Sequence, residues 1–202
     1  MFYDPRHEPH GLPHDPFLSL VAPRPIGWIS TRARDGVANL SPYSFFNAFS
    51  TRPYVVGFSG TARKDSVRNA EETGAFVVNV ASFSLRDAMN ASSVAVPPHV
   101  DEFAVAGLTA APSRLVAAPR VAEALAALEC VTVQVVGIRG AAGGEPAAHL
   151  VLGEVVGIHI DESILSDGLV DTARLKPLAR LGYMNYAVVE SVFDMARPKP
   201  PA

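Results

Sequence analysis

The sequence predicts a mainly β fold, a mostly antiparallel barrel with helices attached at its periphery, and three observations carry that expectation. Short runs rich in β-branched and aromatic residues outnumber the helical patterns along the chain. The two kinds of element do not alternate strictly, which argues against a doubly wound parallel sheet. No internal repeat divides the 202 residues, and 49% of them are hydrophobic, so residues 1–202 are expected to form one domain with a sizeable core.

The elements follow in order. Residues 1–16 are interrupted by Pro5, Pro9, Gly11, Pro13 and Pro16, and read as an extended arm without the basic start and apolar stretch of a secretory leader. PIGWIST (25–31) is the first strand, RDG (34–36) a turn, and Val37 opens a second strand, which makes a hairpin. Pro53 stops what precedes it, and YVVGFS (54–59) is short, continuous and β-rich, the pattern of a buried strand. Asp65 or Ser66 caps a helix that runs to Thr73 and stops at Gly74, and AFVVNV (75–80) is the next strand. Further helices are expected over residues 85–91, capped by Ser84, and over the alanine-rich stretch 119–128, where Val121, Leu125 and Leu128 recur at helical spacing. CVTVQVVGI (130–138) and HLVLGEVVGIHI (149–160) are the last long strands, with Gly153 and Gly157 as bulge points. Residues 197–202 hold Pro198, Pro200 and Pro201 and form a second arm, exposed or laid on a partner.

Composition excludes several functions. A net charge of −3 leaves no surplus of positive charge for a nucleic-acid backbone or an anionic membrane. No apolar run approaches the roughly 20 residues that span a bilayer. A lone cysteine, Cys130, forbids an internal disulfide and opens an apolar run, so it is assigned to the core, and the protein to the reducing cytoplasm. His7, His10 and His14 lie in a segment where no helix face gathers them, so no metal site is assigned.

Both common glycine-rich phosphate loops, G-x-G-x-x-G and G-x-x-x-x-G-K-[ST], are missing, so a nicotinamide nucleotide has no domain of its own. Three segments carry chemistry instead. NLSPYSFFN (39–47) interleaves amide and hydroxyl groups with three aromatics after a strand. It is either an ordinary polar loop with its aromatics turned inward or the edge of a site for a flat heterocycle. Lys64, Asp65 and Ser66 open a helix, where free N–H groups, a hydroxyl and an ammonium favour a phosphate, with Asp65 best placed as the cap. Arg24, between Pro23 and Pro25, is either a surface residue or a phosphate clamp. Trp28 suits a core or an interface as well as a ligand, and His159 reads as a surface or satisfied histidine.

PRPIGWIST (23–31), NLSPYSFFNA (39–48), RP (52–53), the run ending at Phe58 and Ser59, KDSVRN (64–69), ETGAFVVN (72–79), HLVLGEV (149–155) and LKPLARLGYMNYA (175–187) occur in this order. As an ordered set covering residues 17–189 they closely resemble the flavin reductase-like family of FMN-binding split β-barrel proteins. The resemblance implies a six-stranded, mostly antiparallel split barrel that forms a homodimer with FMN near the subunit interface. It assigns Asn39, Ser41, Pro42, Tyr43, Ser44, Phe45 and Phe46 to the isoalloxazine ring, and Arg24, Ser30 and Thr31 to the ribityl and phosphate side. Lys64 and Ser66 hold the phosphate in this picture, Ser59 and Asp65 complete the cofactor contacts, and His149 and Tyr183 face a second substrate. Tyr183 departs from members in which a second glycine follows Gly182, and its ring narrows the pocket. The implied activity is an NAD(P)H:flavin oxidoreductase, with free flavin, an oxygenase or another electron acceptor downstream. The alternative is an FMN-binding electron-transfer or sensor protein without nicotinamide turnover. Either way the cofactor carries the chemistry and no catalytic side chain is required.

Overall fold

In the computed structural model, which describes residues 1–199, the β-branched runs pair edge to edge into one curled sheet. The strands are β1 (Arg24–Pro25), β2 (Gly27–Arg32), β3 (Ala38–Tyr43), β4 (Phe46–Thr51), β5 (Tyr54–Gly60), β6 (Ala75–Val80), β7 (Ala110–Ala111), β8 (Arg120–Val121), β9 (Ala126–Gly140), β10 (Gly143–Ile160), β11 (Leu165–Ser166), β12 (Leu169–Val170), β13 (Leu178–Arg180) and β14 (Tyr186–Val188). The helices are α1 (Phe17–Leu20), α2 (Asp65–Thr73), α3 (Arg86–Ala91), α4 (Glu102–Val105) and α5 (Thr172–Leu175). Seven strands form the main sheet in the order β3-β2-β6-β9-β10-β5-β4, with every pairing antiparallel. A smaller sheet, β1-β13-β14, lies beside it, and β7-β8 and β11-β12 are two-stranded ribbons.

The two edges of the main sheet are one piece of chain. Only Ser44 and Phe45 separate β3 from β4, and the Ser59 N–H on β5 donates to the Phe45 carbonyl at 2.8 Å. Taken as one bent strand, β3 and β4 turn the seven-stranded sheet into the six-stranded split barrel that was expected. Segment 39–47 is therefore mostly strand, not the loop its polar composition suggested.

Side-chain alternation along β2 divides the core. Ile29 faces the barrel interior with Phe58, Phe76, Val78 and Val151, and α2 plugs that side with Val67 and Ala70. Trp28 faces the opposite side with Leu40, Met89, Phe103, Val121 and Leu178, where its indole N–H donates to Ser92 at 2.9 Å. Trp28 is thus a core residue. Cys130 is also buried in the barrel, and burial pushes its thiol up to about 12, out of the range of a nucleophile.

The first hairpin, β2-β3, and the strands at 54–59, 75–80, 130–138 and 149–160 form as expected, the last two extended into a long hairpin. The helix expected over 119–128 does not form. Pairing supersedes alanine propensity there: the Val121 N–H is taken by Asn79 Oδ1 at 2.8 Å, and from Ala126 onward the chain joins β6 and β10. α2 keeps its expected end at Gly74, which adopts φ +73°, but its N-cap is Lys64, and Asp65 pairs with Arg68 at 2.7 Å instead of capping. Ser84 does not cap α3 either; its hydroxyl meets that of Ser82 at 2.9 Å within a 3₁₀ turn over Phe83–Leu85. Residues 197–199 are exposed and irregular, and the rest of the C-terminal arm lies outside the described residues. No helix among the described residues is long and apolar enough to cross a membrane.

The β9-β10 register shifts between Leu152 and Gly153 and between Val155 and Gly157, at the two glycines marked in the sequence. A Cβ on Gly153 would stand 2.4 Å from Phe76, inside the barrel core. Gly153→Ala is expected to destabilise the fold by about 1–3 kcal/mol through overpacking. Urea unfolding measures this, and an unchanged midpoint would mean that Phe76 yields without cost.

Candidate functional site

β3 presents Asn39, Ser41 and Tyr43 to one side. With Lys64, Asp65 and Ser66 at the start of α2, the 93–98 loop and Glu102 on α4, they line a cavity of about 280 Å³. A buried polar network fixes this wall. Asn39 Oδ1 accepts from the Ser66 hydroxyl at 2.7 Å and from Thr31 at 3.3 Å, and Asn69 donates to Thr31 at 3.1 Å. Asn39 Nδ2 donates to Glu102 at 2.9 Å, and the Leu40 N–H donates to the same carboxyl at 3.1 Å. Burial raises the Glu102 carboxyl above its ordinary value, an effect partly offset by the N–H groups that reach it. Burial also raises the Tyr43 phenol, against the neighbouring Ser66 and Ser41 hydroxyls.

No side chain among the described residues caps α2, so its first N–H groups have no side-chain acceptor. Lys64 is exposed beside them and makes no ion pair among the described residues. This end of the cavity suits an anion.

One residue past Tyr43 the chain bends, and the next residues line a second cavity of about 570 Å³. Ser44, Phe45, Phe46 and Phe49 form one wall, and Arg24, Ser59, Ile138 and Leu150 another. The two cavities flank the step from Tyr43 to Ser44, and the Tyr43 ring packs 3.2 Å from where a Cβ on Gly60 would stand. His149 lies opposite Gly60 in the β5-β10 register, and its Nδ1 is buried without a hydrogen-bond partner. A mainly apolar, aromatic-lined hollow one residue along the chain from an anion-favouring one fits a flat ring carrying a phosphate.

The remaining residues marked in the sequence are placed differently. The Arg24 fork is taken up by three main-chain carbonyls, those of Leu18 at 2.6 Å, Val21 at 3.1 Å and Leu181 at 3.0 Å, with its guanidinium carbon 5.9 Å from the Phe45 ring centre. Its two terminal nitrogens tie α1, β1 and the chain after β13 together, which leaves only Nε, buried without an acceptor, unengaged. Ser30 points away from both cavities and donates to the Pro119 carbonyl at 2.5 Å, while Pro42 pairs with Trp28 along β2-β3. Thr31 stands behind Asn39 in the network. Tyr183 adopts φ +55° and lines a separate hollow with Ser19 and Gly182, its ring edge-on to His14 at 5.7 Å. His7 meets Asp4 at 3.0 Å, and His10 lies edge-on to Tyr3 with 5.9 Å between ring centres. Glu102 escaped the sequence reading, because nothing local to α4 announces a partner more than sixty residues earlier in the chain.

The chain matches the model of the flavin reductase like domain over residues 19–179. It is 38% identical over 187 residues, 90% of this chain and 88% of the other, to an uncharacterised protein of Halalkalibacterium halodurans. Its structure is similar to that of nitrilotriacetate monooxygenase component B from Bacillus cereus, with a TM-score of 0.88, 31% identity, and 96% of this chain and 98% of that one covered. The fold is also similar to that of 2-nitrobenzoate 2-nitroreductase from Pseudomonas fluorescens, with a TM-score of 0.85 at 22% identity over 100% and 99% of the two chains.

The raised Glu102 carboxyl has a measurable sign. The folded chain keeps this proton at pH values where the unfolded chain has released it, so the associated stability is present at low pH and lost as pH rises through the folded value. As pH rises above the ordinary carboxylate range, Glu102→Gln should therefore gain stability relative to the parent chain. Parallel denaturation curves with a constant offset would refute this.

Proposed function

The chain belongs to the flavin reductase-like family, and from that premise we propose that it is an FMN-dependent oxidoreductase that draws hydride from a nicotinamide nucleotide. The observation that carries the proposal is the pair of cavities on either side of the step from Tyr43 to Ser44, one opening on the uncapped start of α2 and the other on aromatic rings. Lys64 and the first N–H groups of α2, that of Ser66 among them, would hold the phosphate, with Ser41 and Tyr43 beside the ribityl chain and Ser44, Phe45, Phe46 and Ser59 at the ring. Asn39 and Thr31 would act one step back by fixing Ser66, and Arg24 by fixing the main chain behind Phe45. FMN, when bound, supplies an electron-accepting ring that no side chain here can replace. The protein's part is to orient the reactants and exclude water.

A homodimer forms part of the proposal. The chain exposes 12403 Å², about a third more than the roughly 9,100 Å² expected of a compact monomer of 21.4 kDa. Exposed apolar residues continue along the outer face of the long hairpin, at Val131, Val133 and Val156, a surface that a second copy would cover. An oxygenase is the proposed acceptor class, supported by the likeness to a monooxygenase component B.

Two measurements test this. Under anaerobic conditions the visible band of protein-bound FMN should bleach on adding NADH or NADPH; bleaching only by a chemical reductant would leave an electron carrier as the reading. Lys64→Ala should weaken FMN binding by about 1–3 kcal/mol, the loss of one charge-assisted hydrogen bond. An unaltered dissociation constant in fluorescence titration would move the phosphate away from α2.

A further inference from the structure

At the other end of β10 lies a cavity of about 550 Å³ that the flavin reading does not use. Leu150 borders the aromatic cavity and Ile158 borders this one, roughly 25 Å apart along an extended strand. Its lining includes Arg114, Arg120, Leu125, Glu129, Ile158 and His159. Glu129 is fully buried and accepts from the N–H groups of Arg114 at 2.7 Å, Leu115 at 2.6 Å and Val116 at 3.2 Å, with His159 Nε2 at 2.5 Å. Burial works to raise this carboxyl, but those contacts outweigh it and hold the group below its ordinary value. The negative charge in the wall is thus satisfied within the fold. Asp161, the other lining carboxylate, accepts from the Ser163 N–H at 2.9 Å.

The two guanidinium groups have no comparable partner. Neither the Arg114 nor the Arg120 side chain forms an ion pair among the described residues, and Arg120 Nε is buried without a hydrogen-bond acceptor. A buried guanidinium nitrogen normally meets an acceptor, and a planar fork that lacks one matches a carboxylate or phosphate. Leu125 and Ile158 add apolar surface beside the charge.

We propose that this cavity is a second small-molecule site, independent of the flavin site, that binds an organic anion through Arg120 and Arg114 with its apolar body against Leu125 and Ile158. The test is calorimetric titration of the purified, FMN-loaded protein at fixed ionic strength with benzoate, phenyl phosphate and inorganic phosphate. At least one of the two aromatic anions should bind, more tightly than inorganic phosphate, and the preferred one identifies the head group. Arg120→Gln should weaken that binding by about tenfold or more, the loss of a charged contact, while FMN affinity and unfolding temperature stay unchanged. Arg114→Gln, at an exposed position, gives the same reading if the Arg120 variant folds poorly. The proposal is overturned if none of the three probes binds, if binding survives both arginine substitutions, or if FMN displaces the bound anion.

Discussion

The step from one edge of the main sheet to the other in two residues, Ser44 and Phe45, is the constraint on which the rest of the molecule depends. It curls the sheet, because a chain that must pair with β2 before the bend and β5 after it leaves the two edges no room to separate. It also divides the site, since side chains before the bend face α2 and those after it face an aromatic hollow. The bend is pinned on both sides, by the Ser59 N–H on the Phe45 carbonyl and by Arg24 behind the Phe45 ring. Fold and candidate site are therefore one arrangement.

Polar groups buried beside that bend fix the position of α2 more sharply than apolar packing can. Val67 and Ala70 place the helix against the barrel, but apolar contact is non-directional. The Ser66–Asn39–Glu102 chain, with Thr31 and Asn69, is directional, and each donor or acceptor left unmade in it would cost about 1–3 kcal/mol. The N-terminus of α2 is held at a defined distance from β3, which is the dimension that decides the cavity between them.

Much of this was legible in the sequence where the physics is local. The strand runs, the turn at Gly36, the end of α2 at Gly74 and the bulges at Gly153 and Gly157 follow from side-chain pattern and backbone freedom within a few residues. The helix expected over 119–128 failed because Asn79, far away in the chain, claims the Val121 N–H, and no local propensity reports that. The site divides in the same way. Asn39, Ser41, Tyr43, Lys64 and Ser66 stand out as candidates because hydroxyl, amide and cationic groups cluster in two short segments, and the fold brings those segments to one cavity. The engagement of Arg24 with three carbonyls, the inward turn of Ser30 and the part played by Glu102 depend on contacts across the fold.

The uncapped start of α2 sets folding stability against occupancy. A serine, threonine or aspartate at position 64 would satisfy the first turn from within and is worth about 0.5–2 kcal/mol in a helix. Lysine forgoes that gain and leaves the N–H groups to whatever anion arrives. On the proposed reading the protein is therefore least complete when empty, and its loaded form is favoured thermodynamically over both the empty chain and the unfolded one. A variant library selected for heat resistance without cofactor would be drawn toward capping residues at this position, and so away from the property that the lysine preserves.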